Sequence, residues 1–64
     1  MSSEEKNIIR FIFERGGRVL EAEIREEFDL PRTSVWRMAK RLEDMGIVVI
    51  RKVGLQNQIE LRRS

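Results

Sequence analysis

Leu30-Pro31-Arg32-Thr33-Ser34-Val35-Trp36-Arg37-Met38-Ala39-Lys40-Arg41-Leu42-Glu43-Asp44-Met45-Gly46 reads as one helix with two opposed faces. Stepping about 100° per residue from Val35 gathers Val35, Met38, Ala39, Leu42 and Met45 on one side. Thr33, Trp36, Arg37 and Lys40 fall on the other. An apolar stripe thus anchors the helix while a cationic, hydrogen-bonding face looks outward, a division that suits a helix held against a DNA groove.

The flanks fix where this helix begins and ends. Pro31 stops what precedes it and is suited to open a helix, and Asp29 tolerates turn geometry. Gly46 provides a left-handed cap at the other end. Upstream, Glu21 to about Phe28 reads as a second helix, with Leu20, Ile24 and Phe28 every fourth residue toward the core. Its other face is acidic, carrying Glu21, Glu23, Glu26 and Glu27, and is a poor surface to offer phosphate. Two helices joined by so short a turn make a helix-turn-helix.

Further out, Ser2 with Glu5 matches a capping box, so a first helix is expected from Ser3 to about Arg15, stopping at Gly16-Gly17. Its apolar residues Ile8, Ile9, Phe11, Ile12 and Phe13 span roughly 200° of the wheel, wider than one core needs. Phe11 and Phe13 mark the two edges. One of them covers a neighbouring element of the domain or forms a dimer or partner contact. Downstream of Gly46 the period drops from about 3.6 to about 2. Ile47–Val53 and Gln58–Arg62 read as two strands around a Gly54-Leu55-Gln56-Asn57 turn, and Arg18–Leu20 reads as a short extra strand at the hairpin edge. The expected fold is α+β, mainly α: three helices followed by a two-stranded hairpin wing, in a single domain over residues 1–64.

This order resembles the winged helix-turn-helix domain of small archaeal and bacterial transcription regulators, in particular the multiple-antibiotic-resistance-regulator-like group. The residues that carry the resemblance are Gly16-Gly17, Ile24, Leu30, Thr33-Ser34-Val35, Arg37, Leu42-Glu43 and Met45-Gly46-Ile47-Val48. It covers about Ile8 to Arg62. The resemblance implies that helix 3, about residues 31–45, enters the major groove and that the wing meets the adjacent backbone or minor groove.

Composition points the same way. The 64 residues leave no room for a second domain, and the net charge of +2 hides a split: residues 1–30 sum to −3 and residues 31–64 to +5. With no cysteine and no histidine, thiolate zinc sites, disulfides and the commonest general base are excluded. No phosphate-binding glycine loop, nucleophile elbow or metal-ligand spacing is present, so neither catalytic residues nor a cofactor or metal are expected. No apolar run reaches the roughly 20 residues of a membrane span, and the N-terminus lacks a signal-peptide pattern, which makes a cytoplasmic protein the expectation.

The expected DNA contacts are Arg32, Thr33, Ser34, Trp36, Arg37 and Lys40 on helix 3, and Arg51, Lys52, Gln56 and Asn57 on the wing. Arg37 is placed to read guanine or clamp phosphate. Arg32, Thr33 and Ser34 lie in the first turn, where free N–H groups favour phosphate, although a hydroxyl there also serves as a cap. Trp36 either meets DNA or packs its ring on helix 2 or the wing. Leu55 at the wing tip departs from the basic tip common among the relatives. Double-stranded DNA is the expected partner. A lone reader contacts one half-site, so either a homodimer through helix 1 or membership of a larger protein follows. The alternative function is a winged-helix protein-interaction module, which the acidic second helix, the wide apolar face of helix 1 and Leu55 would suit.

Overall fold

A computed structural model describes residues 1–63. Its elements run α1 (Ser3–Glu14), β1 (Arg18–Leu20), α2 (Glu21–Phe28), α3 (Arg32–Asp44), β2 (Val48–Val53) and β3 (Gln56–Leu61). The three strands form one antiparallel sheet in the order β1-β3-β2, so β3 is central. Three helices with a three-stranded antiparallel sheet make an α+β domain whose arrangement is compatible with a winged helix. No helix among the described residues is long and apolar enough to cross a membrane.

Each element contributes to one core. Ile8 and Ile12 come from α1, Val19 from β1, Ile24 from α2, Val48 from β2 and Ile59 from β3. α3 supplies four residues, Val35, Met38, Ala39 and Leu42, all buried. The expected stripe therefore holds along α3 except at Met45, which is 55% exposed. Met45 is the C-cap residue, one position beyond Asp44, the last residue of α3.

The helix ends follow local chemistry. Ser2 caps α1: the Glu5 N–H donates to Ser2 Oγ at 3.2 Å, and Glu5 Oε1 accepts from the Ser2 N–H at 2.9 Å, completing the capping box. α3 closes in a Schellman motif, with the Gly46 N–H donating to the Glu43 carbonyl and the Ile47 N–H to the Leu42 carbonyl, both at 2.9 Å. That turn needs the positive φ of 77° that Gly46 adopts. Asp29 takes the left-handed role after α2 with φ 52°, which an L-residue other than glycine tolerates best when it is Asp or Asn.

The hairpin turn is shorter than expected. Val53 pairs with Gln56, so only Gly54 and Leu55 lie outside the ladder, and Gln56 and Asn57 belong to β3. Gly54 has φ 63° while Leu55 does not adopt a positive φ, the pattern of a type II′ turn, whose twist matches the flanking strands. A four-residue turn is unnecessary once glycine occupies the first corner. β1 joins the other edge of β3, with Val19 opposite Ile59.

Candidate functional site

The outward face of α3 is as expected: Arg32, Thr33, Ser34, Trp36, Arg37 and Lys40 are all exposed. The first turn has no side-chain cap and no acidic residue. The first intrahelical bond is donated by the Val35 N–H to the Pro31 carbonyl, so the N–H groups of Arg32, Thr33 and Ser34 precede the ladder. This end of a 13-residue helix carries a partial positive charge with Arg32 beside it.

The cations of the site are not equivalent. Lys40 Nζ donates to Glu43 Oε1 at 2.8 Å. The hydrogen bond raises the Lys40 pKa above its ordinary value and lowers that of Glu43. Lys40 Nζ also lies 5.7 Å from the centroid of the Trp36 ring, within cation–π range. On the β2–β3 hairpin, Arg51 Nε donates to Glu60 Oε1 at 3.0 Å, and Lys52 Nζ reaches Asn57 Oδ1 at 3.5 Å across the ladder. Arg32, Arg37 and Lys52 form no ion pair among the described residues. Their charges are uncommitted, whereas those of Lys40 and Arg51 are already shared with carboxylates.

A groove of about 530 Å³ runs between the start of α3 and the β2–β3 hairpin. It is lined by Arg32, Thr33 and Trp36 from α3, Lys52 and Asn57 from the hairpin, and Glu21 from α2. Half of the ten expected contacts therefore converge on one depression. Ser34, Arg37, Lys40, Arg51 and Gln56 lie outside its lining. Trp36, 40% exposed, is a wall of the groove rather than a ring folded away into the core.

Glu21 was expected on an exposed acidic face, and that expectation fails. It is only 5% exposed, with Arg25 Nε at 3.6 Å as its ion-pair partner. Glu23 is also partly withdrawn: it accepts from the Leu20 N–H at 2.8 Å and pairs with Arg15. Only Glu26 and Glu27 remain exposed on α2. The one sequence signal for Glu21 was its i,i+4 spacing to Arg25, which marks a helix-surface pair but not its burial beside a groove.

The aromatic edges of α1 separate. Phe11 meets Phe28 of α2 edge-to-face, with centroids 5.6 Å apart and planes at 88°, so it covers a neighbouring element of its own domain. Phe13 remains 73% exposed beside Gly16, Gly17 and Leu61.

No curated protein and no solved structure matches the chain. The model of the family described as Domain of unknown function (DUF7343) matches residues 1–62, and the chain belongs to that family.

Proposed function

We propose that this domain is a winged helix-turn-helix that binds double-stranded DNA sequence-specifically, as a transcription regulator does. α3 lies in the major groove and the hairpin rests near the backbone. The observation that carries this reading is the uncommitted cation set around one groove. Arg32 and Lys52 flank it from the helix and the wing, and Arg37 projects from the same helix as Arg32 without a carboxylate partner. Arg32 and the free N–H groups of the first turn suit phosphate, and Arg37 suits a guanine edge. Arg51 and Lys40 contribute less, because each would have to leave a carboxylate. Gln56, Asn57, Thr33 and Ser34 supply neutral hydrogen bonds.

The testing experiment is a titration against generic duplex DNA over a salt series. Phosphate neutralisation makes log affinity fall linearly with log salt, by about 0.9 per contacted phosphate. The Arg32→Ala/Arg37→Ala variant should bind more weakly with a shallower slope. Absence of binding at low salt, or indifference to that double change, rejects the reading.

A second reading has its own support. Leu55 at the wing tip is 97% exposed and Phe13 73% exposed, and both would suit a protein partner. Duplex binding that survives at low salt and fades with salt separates the two.

A further inference from the structure

Glu21 is a buried carboxylate with almost no bonding of its own. Its side chain is 6% exposed, and its partner among the described residues is Arg25 Nε, 3.6 Å away and beyond hydrogen-bond range. Arg25 Nε is itself buried without any hydrogen-bond partner. The Glu21 carboxylate accepts no hydrogen bond among the described residues, so its oxygens keep their acceptor capacity. What lies beside this carboxylate is the groove between α3 and the wing. The groove therefore offers four kinds of contact: a carboxylate that accepts hydrogen bonds, the aromatic surface of Trp36, the neutral groups Thr33 and Asn57, and the cations Arg32 and Lys52.

A smooth duplex backbone uses only part of this set. Phosphate satisfies Arg32 and Lys52 but has no hydrogen to donate to Glu21, and it has no flat face for an indole. An unstacked nucleobase bearing an exocyclic amine uses all of it. Its ring stacks on Trp36, its amine donates to Glu21, and the phosphates flanking it meet Arg32 and Lys52. Thymine presents a carbonyl where cytosine carries its amine, so only its N3–H can donate to the carboxylate and the neighbouring oxygen opposes it.

We propose that the groove between α3 and the wing is a pocket for a single unpaired, amine-bearing base of a DNA strand, with Trp36 as the stacking surface and Glu21 as the acceptor that selects the amine. This rests on the DNA-binding reading and adds a preference for duplexes with an extrahelical base.

The experiment compares four ligands at one salt concentration: a fully paired hairpin duplex, the same duplex with one bulged cytosine, the same with one bulged thymine, and free dCMP. Binding is read by anisotropy of a label remote from the bulge, and Trp36 emission is followed in parallel. The bulged cytosine should bind at least about fivefold more tightly than the paired duplex, the lower end of what one stacked base contributes. It should quench Trp36 more than the paired duplex does. The bulged thymine should bind less tightly than cytosine, and Glu21→Gln, whose amide both donates and accepts, should narrow that gap. Circular dichroism of Glu21→Gln establishes that it folds, and the cytosine–thymine comparison in the unaltered protein stands without it. Equal, salt-dependent binding to paired and bulged duplexes overturns the pocket while leaving the DNA reading intact. Failure to bind any duplex overturns both. Saturation by free dCMP at the concentrations at which the bulged duplex binds overturns the assignment to a strand, because the flanking phosphates would then contribute nothing.

Discussion

Arg41 Nε donates to Glu5 Oε2 at 3.1 Å, joining α3 to the first turn of α1 across 36 positions of sequence. The same carboxylate uses its other oxygen to accept from Ser2, so one side chain both caps α1 and ties it to α3. The Ser2 backbone hydrogen bond, followed by the Arg41 hydrogen bond, holds the Glu5 pKa below its ordinary value of 4.5. A carboxylate with a depressed folded-state pKa stabilises the fold above its unfolded pKa, and the contribution disappears as pH falls through the folded value. Thermal midpoints followed by circular dichroism should therefore fall as pH is lowered from 7 to 3. Glu5→Gln should lower the midpoint at pH 7 and flatten the pH dependence. An unchanged profile would mean that Glu5 contributes nothing to the fold.

Leu42 and Met45 sit three residues apart and were expected on one stripe, but only Leu42 is fully buried. Leu42→Ala should cost about 2–5 kcal/mol. A single core in a domain of this size supplies roughly 3–5 kcal/mol in total. The variant should thus be largely unfolded at 25 °C in a urea titration, whereas Met45→Ala should stay within about 0.5 kcal/mol of the parent.

That contrast shows what the sequence carried. Local signals were legible: the Ser2–Glu5 capping box, the glycine after α3, the period of Val35, Met38, Ala39 and Leu42, and the short strand Arg18–Leu20 all depend on neighbours within a few residues. Features set by tertiary contact were not. The wheel places Met45 on the stripe but does not know where the core ends. Nor does it tell that Phe11 finds Phe28, that Arg41 finds Glu5, or that Glu21 turns inward beside the groove. For the candidate interface, helical periodicity gave the outward face of α3, but which cations are already paired depended on Glu43 and Glu60.

The two-residue hairpin turn makes a sharp demand at Gly54, where φ is 63°. Gly54→Val should destabilise by about 1 kcal/mol or more, since a β-branched residue tolerates that conformation worst. Replacing Leu55 by Lys alters no buried contact and should leave the urea midpoint within about 0.5 kcal/mol of the parent. If the wing tip approaches the DNA backbone, the added cation should also steepen the salt dependence by up to about one phosphate contact. A steeper slope with an unchanged midpoint places the tip near phosphate, and an unchanged slope places it away.

Lys40 is the expected contact whose charge is most occupied, since Glu43 accepts its hydrogen bond at 2.8 Å. If α3 faces phosphate, Lys40 has to divide itself between Glu43 and the backbone. Removing the competitor should then help: Glu43→Gln should tighten duplex binding at pH 7 by roughly two- to fivefold, the size of one exposed ion pair. Lys40→Ala should cost less than Arg37→Ala, because Arg37 has no such partner to leave. Acidification is a poor substitute for the Glu43 substitution, because protonating Glu43 occurs in the range where Glu5 also loses its charge and the fold weakens. Isothermal titration at fixed salt and pH 7 separates the two effects. Weaker binding by Glu43→Gln would mean that the ion pair positions α3 rather than restraining it. A Lys40→Ala loss equal to that of Arg37→Ala would mean that Lys40 leaves Glu43 without penalty in the complex.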